Sequence, residues 1–167
     1  MDKYVLTYAG CDWIAGIISG SGKIPNCLYT VYTNNTPSPL TLTSDMTASS
    51  FAGLTGSSWY LRSVGRMSCS VKSNSSEYEG NRALFSSIVR STDVVAGEDK
   101  PVVSSGSKLY AVALVYAEDA ADPSKDIVIA VANLTYGGAF SPVSMVTNTN
   151  MAISCPLTFT TVLDGGE

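Results

Sequence analysis

Two runs, Leu109 to Ala117 and Ile127 to Leu134, are apolar at almost every position, and they limit the fold more than any other feature. Each is the length of a strand, and a strand apolar on both faces has to be covered on two sides. Between them lies Glu118-Asp119-Ala120-Ala121-Asp122-Pro123-Ser124-Lys125-Asp126, acidic and broken by proline. The pair therefore reads as a hairpin with a charged tip.

Other segments carry the same period with one wet face. Tyr4 to Tyr8 and Cys27 to Thr33 read as strands, the second stopped by Asn34-Asn35-Thr36-Pro37-Ser38-Pro39. In Arg66 to Lys72, Met67, Cys69 and Val71 alternate with polar residues, and Ser141 to Thr147 is a further strand. The last segment alternates most clearly, with Met151, Ile153, Cys155, Leu157 and Phe159 on one side. Pro156 on the other side predicts an edge strand or a bulge. Gly10 to Gly22, punctuated by glycine and serine around Trp13-Ile14 and Ile17-Ile18, gives no clear period.

One helix is expected over about residues 77–91. Ser76 and Glu79 have capping-box spacing, and Leu84, Phe85, Ile88 and Val89 recur at i, i+1, i+4 and i+5, one helical stripe. Residues 34–58 form an extended loop rich in Thr, Ser and Gly, too apolar for a linker and too irregular for a core element. Such an excursion is expected to find its packing partner on another subunit. The whole, 1–167, reads as one mainly β domain: a β-sandwich or barrel-like arrangement of antiparallel sheets with one flanking helix.

Chemistry is restricted by what is missing. The chain has no histidine, which removes imidazole as base, acid or ligand. Its four cysteines, at 11, 27, 69 and 155, include no C-x-x-C pair, so neither structural zinc nor any cofactor is expected. The even count permits two disulfides, but Cys69 and Cys155 fall on the apolar sides of their strands, which favours free buried thiols. Ser105-Gly106-Ser107-Lys108 has the spacing of a serine–lysine nucleophile, but glycine and an adjoining strand make it a turn. Gly20-Ser21-Gly22-Lys23 resembles the end of a phosphate loop, yet Ile17 and Ile24 stand where glycine and Ser/Thr belong. The acids Glu118, Asp119, Asp122 and Asp126 lack calcium-loop spacing and read as a solvated tip. Trp59 and Tyr60 beside Arg62 and Arg66 read as core aromatics in preference to a stacking platform for nucleic acid. No catalytic residue emerges, and no enzyme activity is expected. The start of the chain, with Asp12 and many glycines, predicts neither a signal peptide nor a membrane span.

Charge is sparse, at 14% of residues, and uneven. Ser58 to Thr92 carries Arg62, Arg66, Lys72, Arg82 and Arg90 against Glu77 and Glu79, a local +3 in a chain whose net charge is −4. A basic segment in an otherwise acidic subunit suits contact between identical copies. Candidate contact residues are Asn34, Leu42, Met46, Phe51 and Leu54 in the excursion, with Arg62, Arg66, Arg82 and Arg90.

The run Gly56-Ser57-Ser58-Trp59-Tyr60-Leu61-Arg62-Ser63-Val64-Gly65-Arg66-Met67-Ser68-Cys69-Ser70-Val71, followed by Ala83-Leu84-Phe85, resembles the middle of tail tube (major tail) proteins of long-tailed bacteriophages. Leu134-Thr135-Tyr136-Gly137-Gly138-Ala139-Phe140, Asn148-Thr149-Asn150 and Ala152 to Phe159 are similar to their C-terminal strands, closing on Asp164-Gly165. The likeness is one of element order and residue class over roughly the last two thirds of the chain, and residues 1–55 depart from it. It implies a β-sandwich with a flanking helix, hexameric rings stacked into a tube, and transient passage of double-stranded DNA. Implied partners are further copies of the chain and the tape measure, tail tip and terminator proteins, in a virion tail assembled in the host cytoplasm. Alternatives are a capsid decoration protein, a pilus-like subunit, or a β-sandwich that binds a carbohydrate or other ligand.

Overall fold

The computed structural model describes residues 4–54, 56–72, 81–91 and 102–159. The two apolar runs become β7 (Lys108–Tyr116) and β8 (Ile127–Asn133), paired antiparallel at the centre of a large sheet. Beside β7 lies β2 (Cys27–Thr33), and beyond it the edge strand β3 (Ser58–Val64). β1 (Tyr4–Leu6) closes the other edge against β8, and β11 (Val143–Ser144) pairs with the start of β7.

A smaller sheet holds β12 (Asn150–Phe159), β5 (Asn81–Ser91) and β4 (Met67–Lys72) in that order, with β6 (Val102–Val103) parallel to the end of β5. β12 is an edge strand, as Pro156 predicted. A two-stranded hairpin, β9 (Thr135–Tyr136) and β10 (Ala139–Phe140), follows β8. The fold is thus mainly β and antiparallel, in open sheets, with helices at its flank.

One face of the large sheet, through Leu28, Val112, Leu114, Ala130 and Ala132, packs on Phe85, Val89, Ile153, Cys155 and Leu157 of the small sheet. The opposite face, through Cys27, Tyr29, Val31, Ala111, Ala113, Val115 and Val131, is covered by residues 34–58. That covering corrects the expectation for this segment. Met46 is 7% exposed and Phe51 1%, and Leu40, Leu42 and Leu54 pack around them, so the excursion folds onto its own subunit. Its apolar residues are scattered because they meet the sheet from a short helix, α2 (Ala48–Ala52), and from irregular backbone. The backbone N–H of Thr47 donates to Ser50 Oγ at 3.0 Å, holding the first turn of α2. The Asn133 amide pins the incoming chain by accepting from Leu40 N–H at 2.8 Å and donating to Leu40 C=O at 2.9 Å.

Residues 81–91 form a strand where a helix was expected, while residues 77–80 lie outside those described. Phe85, Ser87, Val89 and Ser91 are buried on the inner face, and Ile88 is exposed on the other. Two inward serines interrupt the alternation, leaving the pairs Leu84-Phe85 and Ile88-Val89 at a spacing that mimics a helical stripe. Pairing with β4 on one side and β12 on the other outweighs the local preference. Tyr8, expected to end a strand, begins a helix, and of Ser141 to Thr147 only Val143–Ser144 is strand.

The main helix, α1 (Tyr8–Ile18), lies in the glycine-punctuated stretch that had no clear period. Its position follows from a bulge. Register between β7 and β8 shifts between Leu114 and Val115, leaving Ile129 without an opposite residue. The Ile129 carbonyl accepts from Thr7 N–H at 3.0 Å. Thr7 Oγ1 donates to Val128 C=O at 2.6 Å and accepts from Gly10 N–H at 2.9 Å, capping α1 against the bulge. A Cβ on Gly10 would stand 2.0 Å from the Ile129 oxygen, so only glycine lets the helix lie this close. No helix among the described residues is long and apolar enough to cross a membrane.

Candidate functional site

Arg62, on edge strand β3, is spent within the subunit. Its Nε donates to Asp126 Oδ2 at 2.6 Å and one terminal nitrogen to Asp126 Oδ1 at 2.7 Å, a bidentate pair. The same guanidinium donates to the carbonyls of Asp119 and Ala120, and Tyr29 OH donates to Asp126. The Asp126 side chain is fully buried. Its hydrogen bond holds the Arg62 pKa above the usual guanidinium value, and burial with Asp126 alongside does the same for the Tyr29 phenol. This clasp ties the acidic connector to β3. The remaining acids are divided too: Lys125 lies 3.7 Å from Asp119 and 3.4 Å from Asp122, and Lys23 3.6 Å from Glu118. Asp122 has its pKa lowered, chiefly by the Ser124 hydroxyl that donates to it.

At the connector end of the large sheet, α1 and the loop after it frame a cleft of about 390 Å³. Ala9, Asp12, Trp13 and Gly16 form one wall, Ser21, Gly22 and Lys23 the second, and Tyr116 and Ile127 the floor. Trp13 Nε1 donates to the Lys23 carbonyl, and the Lys23 ammonium sits 5.0 Å from the centre of the Tyr116 ring. Gly20-Ser21-Gly22-Lys23 follows a helix where a phosphate loop would precede one, and it shapes this cleft. Ile18 and Ile24 nearby are 81% and 79% exposed. The sequence offered a signal here, the apolar density from Trp13 to Ile18, but without a period it pointed to no surface.

The other end of β7 and β8 is different in kind. Leu134 N–H donates to Tyr110 C=O, which places the β9–β10 hairpin beside the start of β7. Gly137 and Gly138 take φ of 58° and 79°, the left-handed pair of a tight hairpin turn, and Tyr136 projects from it 84% exposed. Residues 134–151 contain no charged side chain. Val143 and Val146 are exposed there as well.

The sequence-predicted contact residues are scattered by the fold. Asn34 is exposed and accepts from Ser107 Oγ at 2.8 Å, while Leu42, Met46, Phe51 and Leu54 belong to the cover. Arg66 is exposed at the turn from β3 to β4, and Arg90 lies half-buried opposite Asn150 in β5. The Arg82 side chain is outside the described residues. Ser105 to Lys108 is a turn entering β7, as its glycine implied. Tyr60 packs against Tyr29 and Phe51, but Trp59 is 45% exposed, tilted on Tyr32. All four cysteines are free. Burial pushes the Cys27 and Cys155 thiols up to about 12, whereas Cys11 and Cys69 are exposed. Cys69 stands opposite Phe85 in register but on an edge strand that the large sheet leaves uncovered, which corrects its expected burial.

The outer side of the small sheet carries a row of hydroxyls, beside exposed Ile88 and half-buried Arg90. Ser68, Ser86 and Ser154 are in register across its three strands, and the Ser86 and Ser154 oxygens are 2.8 Å apart. Both long edges, β4 and β12, pair only inward among the described residues. Fold and surfaces together define a mainly antiparallel β protein of two packed sheets, with a cleft beside its main helix. No protein-family model matches the chain, and no curated protein or solved structure does.

Proposed function

We propose that this chain is a structural subunit that polymerises, of the kind that forms the tail tube of long-tailed phages, with rings stacked around a channel for double-stranded DNA. The observation that carries the reading is the small sheet: two edge strands, β4 and β12, that pair only inward among the described residues, with a serine row between them. An open edge presents unpaired backbone donors and acceptors, the means by which one sheet adds to the next. The reading gives Arg62 no place in subunit contacts, and it assigns no catalytic role to a chain without histidine.

Electron microscopy of the purified protein tests it. Rings or stacked rings are expected, with no retention of linear DNA at about 0.15 M salt, where weak nonspecific attraction is largely screened. A monomer that stays monodisperse as concentration rises overturns the reading.

A further inference from the structure

Resting on that reading, we infer how one ring meets the next: Tyr136 of one copy enters the α1 cleft of another, its hydroxyl donating to the Asp12 carboxylate. Both features lie on one stretch of chain, β8 and the short β9 that follows it. Ile127, in the cleft floor, begins β8, and Tyr136 lies nine residues on in nearly continuous extended backbone, about 30 Å away at ~3.3 Å per residue. Projection and recess therefore lie near opposite ends of the large sheet. A head-to-tail contact between unlike surfaces, repeated without closing into a ring, generates an open stack.

The occupant is a second copy because the two surfaces match in chemistry. The hairpin is narrow, uncharged and tipped by one aromatic ring that its own subunit leaves in solvent. The cleft is of ligand-pocket size, walled by Trp13, Ala9 and glycine, and floored by Tyr116 and Ile127. Lys23 is already engaged by Glu118 and the Tyr116 ring. Asp12 has no ion-pair partner among the described residues, and its carboxylate can accept a hydrogen bond from a phenol O–H. Apolar side chains surround both partners, Ile17, Ile18 and Ile24 near the cleft and Val143 and Val146 near the hairpin, so seating the ring would also cover exposed apolar surface.

Tyr136→Ala tests this without touching the core. It should fold with an unchanged melting temperature and raise the concentration needed for stacking at least tenfold, roughly the loss of one aromatic anchor. Single rings should accumulate. Ala9→Phe, which fills the cleft, should do the same from the other side, and a mixture of the two should give ring pairs that grow no further. In a Cys11→Ser, Cys69→Ser background, subunits carrying Tyr136→Cys should form disulfides with subunits carrying Ala9→Cys, and neither should pair with its own kind. Normal stacking by Tyr136→Ala overturns the contact and leaves the tube reading standing. Cross-linking in a protein that never forms rings overturns the tube reading and leaves the contact standing.

Discussion

The two sheets share one core and differ in their outer faces. Outside the large sheet, Met46, Phe51 and their neighbours seal Tyr29, Val31 and Val115 from water. Outside the small sheet, Ser68 is exposed and Ser86 and Ser154 are half-buried. The difference is one of sequence economy. Strands covered twice are spelled almost wholly in apolar residues, whereas strands covered once spend every second position on side chains that cost nothing in water. The large sheet is the body of the subunit, and the small one is its open side.

The sharpest way to break this comparison is to strip the cover. Phe51→Ala should lower unfolding free energy by ~3–5 kcal/mol, the usual range for a buried aromatic, and removing residues 41–53 should abolish the folded state. Denaturant melts followed by circular dichroism measure both. A folded protein after that deletion would return residues 34–58 to the role of an excursion.

Next in size is the clasp. Arg62→Ala should cost ~3 kcal/mol or more, since it leaves the buried Asp126 carboxylate uncompensated. The double change Arg62→Met with Asp126→Leu should recover much of the loss, and thermal melts of the three proteins compare them.

Titration gives a third, graded effect. The folded-state pKa of Cys27 and of Cys155 is raised from an ordinary thiol to about 12, so folding holds the neutral form. Stability from this source is complete below the unfolded thiol pKa, near 9, and is lost as pH climbs towards 12. The expected slope reaches about 1.4 kcal/mol per pH unit for each thiol, with Tyr29 adding in the same direction, and Cys155→Ala should flatten it. Below pH 9 a thiol reagent should modify Cys11 and Cys69 rapidly and the other two only on unfolding.

The smallest effect sharpens the contrast from the bare side. Ser154→Ala should change stability by no more than ~1 kcal/mol, as it removes one hydrogen bond of a half-buried hydroxyl pair. Ser87→Ala, on the inner face, should be neutral or stabilising, because its hydroxyl is buried without a partner among the described residues.

These contrasts also explain what the sequence revealed. β2, β7, β8 and β12 were legible because their burial is written in an unbroken period, from Cys27 to Thr33 or from Met151 to Leu157. β5 was not, because Ser87 and Ser91 occupy core positions where a sequence reading expects apolar residues. α1 hid because its docking rests on Gly10 and a bulge at Ile129, features of tertiary approach that leave no local period. Arg62 looked available because Asp126 is 64 residues away in the chain. The cleft was invisible for the same reason, as Tyr116 and Ile127 meet α1 only in the fold.

The bulge that seats α1 also orders events in time. Thr7 and Val128, joined across it, are 121 residues apart, and β8 is the strand that holds β1 in place. Contacts this distant make folding slow to begin, because the closure of a long loop precedes any reward from it. During synthesis the N-terminal strand waits for β8, and β5 then waits for β12, the later of its two long partners. The surfaces proposed to join subunits are therefore complete only after the body has closed, and a nascent chain has little with which to capture its neighbours too early.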